Sequence, residues 1–68
     1  MIGVERDGFY VYRPVGRNAW TVEREGRAIG HIGRKGRYWW YRPVGEVVDR
    51  IGLKTRADAV LALWLKEN

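Results

Sequence analysis

The chain contains no cysteine and no serine, a single histidine, one phenylalanine and two prolines. Without cysteine there are no disulfides and no thiolate metal ligands, and bridge spacing says nothing of redox compartment. His31 alone cannot supply a zinc-binding cluster. With serine and cysteine both missing, the common nucleophiles reduce to Thr21 and Thr55. The longest apolar run, Ala59 to Leu65, is seven residues and too short to cross a bilayer. No basic n-region followed by an apolar stretch opens the chain, so a soluble, cytoplasmic protein without a secretory signal is expected. Sixty-eight residues make one domain, 1–68, with a marginal core. Its stability then falls to aromatic packing, from four Trp, four Tyr and Phe9, or to a partner chain.

Against these absences stands an internal repeat. Phe9-Tyr10-Val11-Tyr12-Arg13-Pro14-Val15-Gly16 aligns without gaps on Tyr38-Trp39-Trp40-Tyr41-Arg42-Pro43-Val44-Gly45, and the last five residues are identical. Ile2-Gly3 and Arg6-Asp7-Gly8 recur loosely as Ile29-Gly30 and Arg34-Lys35-Gly36. A strand-turn-strand unit therefore occurs twice, too few times for a solenoid.

Strand signals fill the first two thirds. Asp7-Gly8 reads as a two-residue hairpin turn, which sets Val4 opposite Val11 and Glu5 opposite Tyr10. A third strand runs over about 19–24, with Trp20 and Val22 on one face, and Glu25-Gly26 turns into a fourth over about 27–32. That hairpin can set Ile29 opposite Val22 and His31 across from Trp20. Ile29 and Ile32 have opposite parity, so burying both requires a bulge near Gly30. Residues 33–36 form a basic turn, 37–42 a fifth strand, and Pro14 and Pro43 end their strands. Residues 46–52 are a loop or a short edge strand. The end of the chain is helical: Thr55-Arg56-Ala57-Asp58 resembles a capping box, with Leu53 as a staple. Ala57, Val60, Leu61, Trp64 and Leu65 form an apolar stripe anchored by Trp64. The expected fold is α+β: an antiparallel sheet of four to five strands, built on a duplicated hairpin, with one C-terminal helix packed on one face. Leu63, Ala59 and Ala62 lie off the stripe, which makes a homodimer a further expectation.

One helix covers one face of a sheet. If Phe9, Val11, Tyr38 and Trp40 point into the core, alternation sends Tyr10, Tyr12, Trp39 and Tyr41 to the opposite face. The basic turn, with Arg34, Lys35 and Arg37, would edge that aromatic row. Three readings of it remain open: a stacking platform for bases, a protein interface, or a surface closed by a barrel or a dimer. The net charge of +5, carried by ten arginines and three lysines, favours a polyanionic partner.

Catalysis has little support. Thr55 is spent as a cap, His31 beside Trp20 reads as a packing residue, and Glu23 and Glu25 read as a charge-balanced edge. Gly30-x-x-Gly33-x-x-Gly36 lacks the Gly-Lys-Ser/Thr ending of a P-loop, although its amides could hold a phosphate beside Arg34, Lys35 and Arg37. Trp20-Thr21-Val22, Gly26, Ile29-Gly30, Trp40 and Thr55-Arg56-Ala57-Asp58-Ala59 resemble the strand-strand-strand-helix layout of the arm-binding domains of tyrosine recombinases. The resemblance covers about residues 19–68, and the first hairpin has no counterpart. It implies a sheet lying in the DNA major groove and a DNA-facing role for Thr21, Glu23, Trp39 and Tyr41.

The expected function is a non-enzymatic module that binds nucleic acid through Arg34, Lys35, Arg37, Trp39, Tyr41, Arg42, Tyr10 and Tyr12. No metal, cofactor, membrane or small-molecule substrate is expected. The alternative is a small phage or mobile-element protein that binds and inhibits a host protein complex.

Overall fold

A computed structural model describes the backbone of residues 5–7 and 10–67 and the side chains of residues 10–65. Five strands, β2 (Tyr10–Gly16), β3 (Ala19–Arg24), β4 (Arg27–Lys35), β5 (Tyr38–Pro43) and β6 (Arg50–Leu53), form an antiparallel meander. A three-residue strand, β1 (Glu5–Asp7), adds to the free edge of β2. The helix α1 (Arg56–Glu67) follows and packs over β4, β5 and β6. The architecture is the expected α+β sheet with one C-terminal helix, and residues 46–52 resolve into a connection followed by an edge strand.

Turn chemistry sets the hairpins. Glu25 and Gly26 both have positive φ, 55° and 78°, as a two-residue turn of mirror-image type requires. Gly36 takes φ 62° at the first position of the β4–β5 turn. The first hairpin is registered two residues away from expectation: Asp7 faces Tyr10 and Glu5 faces Tyr12. Residues 8 and 9 and Val4 lie outside the described residues. The shift is by an even number, so it leaves the faces unchanged. The expected bulge is present in β3–β4: Val22 faces Gly30 and Glu23 faces Ala28, which leaves Ile29 as the extra residue. Both Ile29 and Ile32 are buried by this device. As a consequence Gly30, not Ile29, lies opposite Val22, and His31 faces Thr21, not Trp20.

The repeated strands β2 and β5 run in opposite directions with β3 and β4 between them. An approximate two-fold axis normal to the sheet therefore relates the copies. Equivalent residues share a face: Tyr12 pairs with Val22 and Tyr41 with Ile32, both on the helix side. Arg13 and Arg42 point away from the helix, and each bonds a carboxylate, Glu23 and Asp49 respectively.

This face assignment reverses the expected one. Tyr12 is 2% exposed in the core with Val22, Ile29 and Ile32, and Tyr10, Trp39 and Tyr41 pack against that cluster. Val11, Tyr38 and Trp40 occupy the uncovered face. Val22 and Ile32, in the two central strands, decide the matter, because their direct partners must share their side. Pro14 does not end β2 either. The strand continues through a bulge to Gly16, whereas Pro43 is the last residue of β5.

The helix is also turned from expectation. Asp58 N–H donates to Thr55 Oγ1 at 3.1 Å, so the cap forms, and Leu53 packs against the core beside it. The buried face is Ala59, Val60 and Leu63, while Leu61 and Leu65 are exposed. That stripe lies one residue, roughly 100°, around the helix from 57/60/61/64/65. Leu63 is fully buried and anchors the core in place of Trp64, which is half-buried with the Arg24 guanidinium 5.4 Å from its ring centroid. Leu63 and Ala59, which motivated the homodimer, are internal.

Candidate nucleic-acid interface

The meander places the β2–β3 and β4–β5 turns at one end of the sheet. Arg34 N–H donates to Asn18 O at 2.8 Å, which ties the two turns together. Asn18 accepts the positive φ of 55° that this turn needs. Arg17 is thereby brought beside Arg34, Lys35 and Arg37, and all four are exposed. Arg34 Nε–H bonds Gly36 O at 3.2 Å, which holds its side chain along the turn. Among the described residues no carboxylate forms an ion pair with any of the four. Elsewhere three arginines are matched: Arg13 with Glu23, Arg42 with Asp49 at 3.2 Å, and Arg50 with Glu46 at 3.3 Å. The carboxylates of the other turns, Glu25, Glu46 and Asp49, sit at the opposite end of the sheet. One end of the molecule thus carries uncompensated positive charge, which focuses an attractive field on polyanions.

The helix-free face begins at this end. Gly33 lies opposite Trp40, and a Cβ at Gly33 would stand 2.3 Å from two Trp40 ring carbons. The indole therefore packs against the bare glycine backbone, an arrangement that lets an aromatic cover a sheet position without a side chain. Tyr38, 46% exposed, precedes it on the same face, followed by Arg42, whose guanidinium is 5.8 Å from the Trp40 centroid. Thr21 Oγ1 and His31 Nδ1 hydrogen-bond at 3.1 Å near the middle of the face. A partly solvated ring beside cations can stack a planar group while the cations neutralise a phosphate attached to it.

Of the expected site residues, the structure gathers Arg34, Lys35 and Arg37 at the hairpin tip. Arg42 is on the helix-free face, bonded to Asp49. Tyr10, Tyr12, Trp39 and Tyr41 are not there: they belong to the helix side, so the exposed row they were expected to form does not exist. The Tyr12 ring sits 4.8 Å below the Arg56 guanidinium, and Trp39 stacks on Trp20 at 5.5 Å. Of the residues implied by the recombinase resemblance, Thr21 and Glu23 are on the free face, where Glu23 is held by Arg13. Trp39 and Tyr41 are on the other. Sequence reasoning missed Trp40, Tyr38 and Arg17. The Gly33–Trp40 pairing in the register was the available signal for the first two. Arg17 needed the meander order, which puts alternate turns at one end.

Among the described residues no group of three His, Cys, Asp or Glu side chains could hold a metal ion, and no helix is long and apolar enough to cross a membrane. No protein-family model, curated protein or solved structure matches this chain.

Proposed function

We propose that the chain is a non-enzymatic nucleic-acid-binding module that works in the cytoplasm. Phosphates lie along Arg17, Arg34, Lys35 and Arg37, and bases stack on Trp40 and Tyr38. The observation that carries this reading is a cluster of four cations, without an ion pair among the described residues, at the end of the sheet where a half-buried indole lies on the uncovered face. A partly solvated ring favours an unpaired base over a duplex, whose bases are already stacked.

Titration of labelled single- and double-stranded oligonucleotides tests it. Replacing Arg34, Lys35 and Arg37 together should weaken binding to every sequence. On a single strand the salt slope should flatten by roughly 2, at about 0.7 for each phosphate that is no longer neutralised. Trp40→Ala should cost about 1–3 kcal/mol against single strands and leave the slope unchanged. No binding of either oligonucleotide at low salt would remove the reading.

A second reading, a module that binds and inhibits a protein complex, is favoured by the exposed aliphatics Val44, Val47, Val48 and Ile51 around β6. Pull-down from lysate with and without nuclease separates the two: partners released by nuclease treatment support nucleic acid, and a protein retained supports the second.

A further inference from the structure

The uncovered face carries a polar pair with no role yet in the interface. Thr21 and His31 are direct cross-strand partners, and Thr21 Oγ1 and His31 Nδ1 hydrogen-bond at 3.1 Å. Among the described residues the Thr21 hydroxyl has no other acceptor, so it donates to Nδ1, which places the imidazole proton on Nε2. His31 is half-buried, and its Nε2 has no partner among the described residues and is not sealed from solvent. The pair therefore holds one N–H in a fixed orientation on the open face.

That N–H stands beside Trp40. The indole packs on Gly33, and His31 lies two residues away along β4, a spacing of about 6.8 Å. Arg42, the direct partner of His31, brings its guanidinium to 5.8 Å from the Trp40 centroid. Asp49 accepts from Arg42 Nη1 at 3.2 Å and steadies the fork, while Nε and Nη2 have no partner among the described residues. Glu23, also on this face, is held by Arg13. The nitrogens left free beside the ring are donors.

We propose that His31 and Arg42 read the edge of the base stacked on Trp40, and that the module selects guanine there. This deepens the nucleic-acid reading of the face and rests on it. An unpaired base exposes its edges to side chains. Guanine offers two neighbouring acceptors, O6 and N7. Adenine carries an amino donor in place of O6, which would meet donors, and thymine offers only O4 on that edge. Thr21 is a positioning residue that acts through the imidazole.

The test is titration of labelled thymidine oligonucleotides that carry a single central guanine, adenine or cytosine. The guanine strand should bind about tenfold more tightly than the adenine strand, the discrimination of one good bidentate contact. A 7-deazaguanine strand, which lacks the N7 acceptor, should lose most of that advantage on the wild-type protein, so this arm needs no variant to fold. His31→Phe and Arg42→Lys should each bring the guanine-to-adenine ratio toward unity while the plain thymidine strand still binds. Thr21→Val should lower the ratio and Thr21→Ser restore it, which a merely structural threonine would not do. Arg34→Gln should weaken all strands alike and leave the ratio unchanged. Equal binding of the guanine and adenine strands, tightest binding of another base, or a ratio unchanged in both His31→Phe and Arg42→Lys would overturn the proposal and leave the nucleic-acid reading standing. No binding of any strand would remove both.

Discussion

Gly30 sits where Leu63 of the helix packs directly onto the sheet backbone. A Cβ there would stand 2.5 Å from Leu63 Cδ2, 2.6 Å from Arg42 O and 3.1 Å from Pro43 Cα, at a φ of 157°. Leu63 is fully buried and cannot swing into solvent, and the other two atoms are backbone. Gly30→Ala should therefore destabilise by about 1–3 kcal/mol, as overpacking of a rigid site does. In a domain of this size that lowers the melting temperature by roughly 4–8 °C for each kcal/mol. Leu63→Ala alone should cost about 2–5 kcal/mol through the cavity it leaves. Combined, the two should cost less than their sum by more than about 0.5 kcal/mol, because removing Cδ2 relieves one of the three clashes. The double variant should still be less stable than Leu63→Ala, since Arg42 O remains. Gly16→Ala, with nothing within 4 Å, is the control and should be neutral or stabilising by about 0.4–1 kcal/mol. Urea denaturation of the five proteins measures all of this. Additive costs, or a Gly30→Ala variant as stable as wild type, would refute the close approach.

The capping hydroxyl can be tested alone: Thr55→Ala should lose about 1 kcal/mol in the same assay, with Thr55→Ser close to wild type. Leu61→Lys and Leu65→Lys should each change stability by no more than about 0.5 kcal/mol, because both side chains face solvent. Strong destabilisation would return the buried stripe to 57/60/61/64/65. Gly33→Val should lift the Trp40 ring off the sheet and raise its solvent exposure, seen as a red shift in tryptophan emission. Unchanged emission would mean the indole does not rest on the glycine.

The class of fold was legible because its signals are local. Glu25-Gly26 signalled a turn, Thr55-x-x-Asp58 gave a helix start, and the mismatched parity of Ile29 and Ile32 required a bulge. The two departures that bear most on the site both concern orientation. In the helix, every position from Ala59 to Leu65 is apolar, so the 3.6-residue period fixes that a helix forms but not which side is buried. The gap over Gly30 that accepts Leu63 makes that choice. In the sheet, the aliphatic residues of the first hairpin suggested Phe9 and Val11 as the inner set. The inner face is instead set by Val22 and Ile32 in the central strands, through a cross-strand register that short-range patterns do not contain. The inversion matters for the site: it moved the stacking residues from Trp39 and Tyr41 to Trp40 and Tyr38, while the basic hairpin kept Arg34, Lys35 and Arg37 at its tip even though β4 runs on to Lys35 and the turn is Gly36-Arg37 instead of 33–36.

The helix that covers the sheet is also the last of the described elements to be made. During synthesis, at roughly 5–20 residues per second, β2 to β5 leave the ribosome ahead of α1, and each strand has its neighbour at hand. A meander of that kind can pair early, since its contacts are local. Until the helix follows, Tyr12, Trp20, Trp39 and Tyr41 face water together on a preformed surface. A chain cut short before Thr55 would hold that surface open permanently and associate through it, so loss of the helix should read out as an insoluble or chaperone-bound product rather than as a smaller folded one.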